Sequence, residues 1–420
     1  MPPPAGRAAV DDAVRAAFRA HWGEVVASLV RLTSDLSLAE DCAQEAYARA
    51  AARWARDGVP ENPRAWLVTV ARNDARNRVK RAVNERSKLA LISAGERGEG
   101  SGTEQRMIDD DLLRLTLTCC HPALPAESQV ALTLRTVVGM TTDEIARAFL
   151  IPRATAAQRL VRGKSRLRQV GPAAFAVPVD DLLAERVDAV LAVIYLLFNE
   201  GYAATSGPVL VRGDLCDEAL YLGRTAARLL PDESEAVGLV ALMELTHARR
   251  TARVDDGGEL LTLEEQDRSV WDHGLAGRAV ARLDAVAPDA AYGPYRIQAE
   301  IAACHASATT PEATDWRRIL GWYDALTRAQ PTAVVALNRA VALAMADGVE
   351  AGLAEVDALD RAGDLARQHL LPATRADLLV RLGRPADAVA AYDAALALVD
   401  NDVERRFLER RRKAAENAPH

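Results

Sequence analysis

Apolar residues recur at intervals of three and four along nearly the whole chain, and period-two runs of valine and isoleucine are scarce. That pattern predicts an all-α protein. The sharpest local signal lies at 141–170. Thr141-Thr-Asp-Glu144 fits a capping box, with Thr141 as N-cap and Glu144 three residues on. Ile145, Ala146 and Phe149 then form the apolar stripe of a short helix. Leu150-Ile-Pro152 ends it, because proline cannot continue the ladder. A second helix runs from Arg153 to about Gln169, with Ala156, Leu160 and Leu167 on its inner face. Its outer side carries Arg153, Thr155, Gln158, Arg159, Arg162, Lys164, Arg166 and Arg168, and no acidic residue falls between 153 and 168. This is the pattern of a helix-turn-helix whose second helix fits the major groove, where arginine bonds guanine, glutamine bonds adenine and the rest neutralise phosphate. A solvated basic helix is the alternative.

Further forward, Leu38 to Ala50 reads as one helix, with Cys42, Ala46 and Tyr47 inward and Glu40, Asp41, Gln44 and Glu45 on polar faces. A loop, Ala55 to Pro63, precedes a helix in which Trp66, Leu67, Val70 and Ala71 repeat at helical spacing. That phase assigns Trp66 to the core. Arg72, Arg76, Arg78, Lys80 and Arg81 crowd its later turns beside Asn73 and Asn77. Such an edge suits an unpaired strand, since a basic groove tracks phosphate and a pocket accepts an unstacked base. Ser93 to Thr103 is rich in Gly and Ser, has no apolar face and reads as a linker. A second boundary falls between Gly171 and Pro178. The expected domains are therefore 10–90, 106–170 and 179–420, with a flexible linker at 91–105.

Charge sharpens this division. Residues 1–170 carry a net +6 and residues 171–420 a net −13, within a total of −7. A basic front on an acidic rear suits a nucleic-acid-binding part joined to a protein-facing part. With 420 residues, 50% hydrophobic and 26% charged, the chain falls outside the disordered, fibrous and disulfide-scaffold classes. No run of about 18 apolar residues suits a membrane span. The first residues, MPPPAGRAAVDD, resemble no secretory signal and read as a short flexible tail. Five scattered cysteines then imply reduced thiols and a cytoplasmic protein. Cys119-Cys120-His121 is the one place to look for a metal, but adjacent cysteines wrap a tetrahedral ion poorly and no CxxC pair supplies further ligands. The expectation is a buried turn, with no metal and no cofactor.

The order of these pieces resembles the extracytoplasmic-function sigma factors of the sigma-70 family. They are Ala39-Glu-Asp-Cys-Ala-Gln-Glu-Ala-Tyr47, Trp66-Leu-Val-Thr-Val-Ala-Arg-Asn73, Glu144-Ile-Ala146 and Arg159-Leu-Val-Arg-Gly-Lys-Ser-Arg-Leu167. The resemblance spans about 160 residues and implies regions 2 and 4 of a sigma factor, partnered by core RNA polymerase and promoter DNA. Asp41, Gln44 and Glu45 would lie on the polymerase-facing helix. Asn62, Arg64, Asn73, Arg76, Asn77 and Lys80 would lie at the edge that reads the −10 element. Arg153, Thr155, Gln158, Arg159, Arg162 and Lys164 would serve the −35 element. Glu96, Glu99 and Glu104 of the linker would thread toward the RNA exit path.

A minimal member would end near residue 170, and the remaining 250 residues read as helical throughout. Gly348 and Gly383, each between two helical stretches, and the series Ala376, Leu379, Gly383, Ala388, Tyr392 and Ala395 follow the spacings of a tetratricopeptide repeat. Together with Leu196-Leu-Phe-Asn-Glu-Gly-Tyr202, Asp214 to Leu220 and Trp271-Asp-His273, they resemble the subgroup with a fused tetratricopeptide-like C-terminal domain. That resemblance implies a regulatory or supporting role, with a regulatory protein or ligand as partner. Phe198 to Ala203 reads either as a binding-site lining or as a helix end with a glycine turn at Gly201. His273 beside Asp272 lacks a nucleophile pattern, so no catalysis is expected. The tail Arg405 to Lys413 reads as charge favourable at a helix C-terminus, or as a dock for an acidic surface. The alternative for the whole chain is a helix-turn-helix regulator that binds duplex without polymerase.

Overall fold

In a computed structural model, residues 7–86, 111–149, 151–176, 181–202, 212–255, 257–287 and 290–417 are described. The expected linker at 91–105, with Glu96, Glu99 and Glu104, lies outside the described residues, as do residues 1–6 and 177–180. Among the described residues there is no β-strand, only an isolated bridge between Val254 and Leu260. The chain is all-helical, in two compact units, residues 1–194 and 195–420.

The front unit opens with α1 (Arg7–Thr33), α2 (Leu36–Asp57) and α3 (Pro63–Arg86). The stretch read as a tail is thus helical from Arg7 onward. The expected loop is also shorter, because α2 continues through Trp54, which is buried, to Asp57. Gly58, at φ 81°, then ends the helix in a conformation that few other residues adopt. Asp35 starts α2 by accepting from the backbone N–H of Ser37 (2.8 Å) and Leu38 (3.2 Å). Alanines 39, 43, 46 and 50 line the buried face of α2. Leu67, Ala71 and Ala75 are buried on α3. These small side chains let the three helices pack closely around Trp22, Val26 and Leu29 of α1.

A second bundle completes this unit: α4 (111–119), α5 (Ala126–Thr133), α6 (Thr142–Ala148) and α7 (Arg153–Val170). The capping box forms as its sequence predicts, Thr141 accepting from the Glu144 N–H at 3.2 Å and Glu144 accepting from the Thr141 N–H at 2.7 Å. Ala156, Leu160 and Leu167 are all buried. Gly163 is buried too, because a Cβ there would lie 2.7 Å from Cδ1 of Leu132 on α5. After α7, Phe175 is buried, and Arg186 on α8 (Asp181–Tyr202) donates to the Leu117 carbonyl at 3.2 Å.

The rear unit is a run of helices, α9 (Gly213–Leu229), α10 (Ser234–His247), α11 (His273–Asp284), α12 (Pro294–Ser307), α13 (Trp316–Ala329), α14 (Ala333–Asp347), α15 (Val349–Ala362), α16 (Leu370–Arg381), α17 (Pro385–Leu396) and α18 (Asp402–Glu416), with a long connection, 248–272, between α10 and α11. From α12 onward each helix packs on the next. Gly348 turns the chain between α14 and α15, and Gly383 between α16 and α17, both at positive φ. Ala376, Leu379, Ala388, Tyr392 and Ala395 share one core.

Gly201 falls at the end of α8, as the helix-end reading expected, but its backbone is helical and a Cβ would sit 2.8 Å from the Cys216 nitrogen of α9, so glycine there serves close helix approach. The tail Arg405 to Lys413 lies in α18, with Lys413 in its last turn as the helix-end reading expected, and three of its arginines make ion pairs within the rear unit. Arg406 pairs with Glu259 (2.9 Å), Arg412 with Asp393 (2.6 Å) and Arg411 with Asp377. Asp272 beside His273 is the N-cap of α11, accepting from the Leu275 N–H at 2.8 Å.

Candidate nucleic-acid interface

The basic helix α7 turns its arginines away from its own core. Arg153, Gln158 and Arg162 are exposed, and Thr155 and Arg159 are half-buried on the same helix. Arg153 pairs with Asp143 at 2.8 Å and Arg159 with Glu127 at 3.1 Å. Both carboxylates are more than half exposed, so these bridges orient the guanidinium groups at little energetic cost to any competing anion. Among them sits Val161, 67% exposed. Its only mark in the sequence is that it is a large apolar residue out of phase with Leu160.

Lys164 behaves differently from its neighbours. Its ammonium lies 3.0 Å from Glu40 on α2, pointing into the unit. Glu40 itself overturns an expectation, being 3% exposed where its phase on α2 suggested a polar face. The cause is long-range. A π-helical turn, Leu134–Val138, continues α5 and lies against α1. Such a turn rotates side chains relative to a regular helix, and here Arg135 reaches Glu40 at 3.3 Å while the Thr136 hydroxyl donates to it at 3.2 Å. Two cations and a hydroxyl therefore satisfy one buried carboxylate, which burial without partners would make very costly. The Trp22 indole donates to the Arg135 carbonyl at 3.3 Å. Gly139, at φ 93°, fits against the Trp22 ring, which a Cβ would approach to 2.8 Å. Arg31 with buried Asp111 (3.1 Å) and, at the surface, Arg168 with Asp35 (3.9 Å) add further pairs. The two bundles of the front unit are thus clasped together.

On α2, Asp41 and Gln44 are exposed and Glu45 is half-buried, bridged to Arg49 at 2.9 Å. On α3, Asn73, Arg76, Asn77 and Lys80 are all exposed along one edge, and Asn62, also exposed, accepts from the Ala65 N–H at 3.0 Å. Arg64 is half-buried and lies 3.6 Å from Glu24. Trp66 is half-buried against Trp54, ring centroids 5.7 Å apart and edge-on.

The cysteine pair is plainly internal. Cys119 and Cys120 are buried, Cys120 within 3.6 Å of the Thr133 hydroxyl, and burial pushes both thiols up, Cys120 to about 12. His121 accepts from the Ala123 N–H at 3.0 Å, and burial lowers its pKa. Among the described residues no group of three or more His, Cys, Asp or Glu is arranged to hold a metal ion. No described helix is long and apolar enough to cross a membrane.

Comparison with known proteins fits this geometry. Residues 17–85 match sigma-70 region 2, and residues 114–167 match sigma-70 region 4. Residues 186–287 match a family of unknown function, DUF6596. An uncharacterized protein of Rhizobium meliloti (strain 1021) is 43% identical over 394 residues, covering 92% of each chain. A probable ECF RNA polymerase sigma factor, SigI, of Mycobacterium tuberculosis is 27% identical over 179 residues, 42% of this chain and 61% of that protein. No solved structure matches.

Proposed function

We propose that this chain, which belongs to the same family as the Rhizobium meliloti protein and carries sigma-70 regions 2 and 4, binds core RNA polymerase and directs it to specific promoters. The observation that carries this reading is the pairing of a capped helix-turn-helix, basic and solvent-facing on α7, with a separate basic and asparagine-rich edge on α3. One suits duplex and the other suits an unpaired strand.

In this reading Arg153, Thr155, Gln158, Arg159 and Arg162 meet the −35 duplex, and Val161 offers apolar contact to a thymine methyl. Asn62, Arg64, Asn73, Arg76, Asn77 and Lys80 hold the −10 strand. Asp41, Gln44 and Glu45 meet the polymerase. Lys164 is held to Glu40 in this structure, so in this reading it joins the −35 contacts only when that ion pair opens.

The rear helices, paired around Gly348 and Gly383, support a tetratricopeptide-like domain that regulates or supports this activity. The second reading, a regulator that binds duplex without polymerase, is favoured only by the exposed face of α7. Electrophoretic mobility of promoter duplex separates the two. Retention that requires core polymerase supports the sigma reading, and tight specific retention by the chain alone supports the other.

A further inference from the structure

The rear unit holds a cavity of about 350 Å³, inside the range of small-molecule sites. One wall comes from α14, α16, α17 and α18, with Met345, Leu378, Tyr392 and Phe407. Trp316 at the start of α13 and His305 of α12 also line the cavity, and their rings meet edge-on at 5.2 Å. Thr262, Leu263, Glu264 and Glu265 also line it, and residues 257–265 are tied down at several points. Arg406 holds Glu259 at 2.9 Å, Arg410 donates to the Leu260 carbonyl at 2.8 Å and Arg381 holds Glu264 at 2.8 Å.

The charges around this cavity are unequal in their partners. Arg381 is shared by Asp377 and Glu264, and Arg411 by Asp377 and Glu265. Arg268 makes no ion pair among the described residues and is only 7% exposed; Glu312 acts on it at longer range, and its guanidinium lies over the Trp271 ring, 5.0 Å from the centroid. Its Nη1 donates to the carbonyls of His305 (2.9 Å) and Ala308 (2.6 Å), and its Nη2 to the Thr314 hydroxyl (3.3 Å). Its Nε has no hydrogen-bond partner. The Nε–Nη2 side of a guanidinium is a fork that matches a carboxylate. Nearby, His305 also has an unpartnered Nδ1, and burial, with Arg249 and Arg268 adding to it, holds its pKa down to about 4. His305 is therefore neutral, and Arg268 is the lining charge without an ion-pair partner, compensated only at longer range by Glu312.

We propose that the cavity binds an organic anion: an apolar, aromatic-sized body against Trp316, Tyr392 and Phe407, and one carboxylate or sulfonate directed at Arg268. The site lies largely outside the matched sigma regions and is independent of the promoter reading, so it is tested by binding and not by transcription.

The test uses the full chain and the fluorescent anion 8-anilinonaphthalene-1-sulfonate, with neutral N-phenyl-1-naphthylamine as control. Saturable one-site binding of the anion is expected. Ala373→Trp, which fills the cavity from α16, abolishes it. Arg268→Met weakens the anion at least tenfold and the neutral probe less than twofold. In the unaltered protein, 4-phenylbutyrate displaces the probe at a tenfold lower concentration than 4-phenylbutanamide, a comparison that needs no variant to fold. Anion binding that survives Ala373→Trp overturns the site. Equal potency of the acid and its amide, or equal loss of both probes in Arg268→Met, overturns the assignment to an anion.

Discussion

Glu40 on α2 and Lys164 on α7 meet at 3.0 Å, joining the matched region 2 to the matched region 4. The carboxylate is buried, so the contact is sensitive to loss of charge. Glu40→Gln leaves Arg135 and Lys164 facing a neutral amide. Removing one member of a buried ionic cluster typically costs about 3–5 kcal/mol. Backbone hydrogen exchange is expected to accelerate across 134–138 and in α7 of the full chain, with the core of α2 and α3 unchanged. Unaltered exchange there would remove the clasp from the account.

The exposed arginines of α7 are predicted to act by groove contact. Arg162→Ala is expected to cost about 1–3 kcal/mol in promoter affinity if it reads a base edge. If it grips phosphate instead, the salt dependence of binding falls by about one unit of slope for all sequences. Quantitative footprinting of the polymerase complex at several salt concentrations distinguishes these. No change in either quantity would take Arg162 out of the interface.

Arg76 on α3 is exposed and close to Asn73 and Asn77. Arg76→Glu is expected to impair strand opening more than polymerase binding, since charge reversal repels the strand phosphates. Permanganate reactivity of thymines near the start site should fall at least tenfold while co-elution with core polymerase persists. Normal reactivity would refute the −10 assignment.

Much of this site was readable locally. The capping box at Thr141 and the break at Pro152 depend on neighbours within four residues, so the helix-turn-helix and its inner face followed from spacing alone. Glu40 was not readable, because its partners Arg135 and Thr136 lie 95 and 96 residues away and reach it through a π turn that leaves no periodic signature. The reason for glycine at 201 was hidden for a related cause. A glycine required by a turn and one required by a close helix crossing look alike until the opposing helix is known. Arg268 carried no signal at all, since only folding removes it from water without an ion-pair partner.

Two glycines give a paired stability prediction. Gly201→Ala forces a Cβ toward the Cys216 nitrogen and is expected to destabilise the rear unit by about 1–3 kcal/mol. Gly277, in α11, has open space around the same position, so Gly277→Ala is expected to stabilise by about 0.5–1 kcal/mol through helix propensity. Thermal melts of the two variants should move in opposite directions.

His305 predicts an acid-sensitive rear unit. Its folded pKa, about 4, lies below the ordinary 6.5 because burial and the nearby Arg249 and Arg268 oppose its charge. The unfolded chain binds the extra proton first, so stability is lost as pH falls below about 6.5 and the loss levels off near 4. The full effect is on the order of 3 kcal/mol. His305→Phe should flatten the dependence of denaturation midpoints between pH 7 and 5, and an unchanged slope would count against the assignment.

Reconstituted run-off transcription tests the central claim most directly. Full-length protein, bacterial core RNA polymerase and the DNA upstream of its own gene are expected to yield a discrete transcript that weakens with Arg76→Glu and Arg162→Ala. Absence of any specific start, combined with tight binding of the same duplex by the chain alone, would contradict the sigma-factor reading and establish the polymerase-independent regulator in its place.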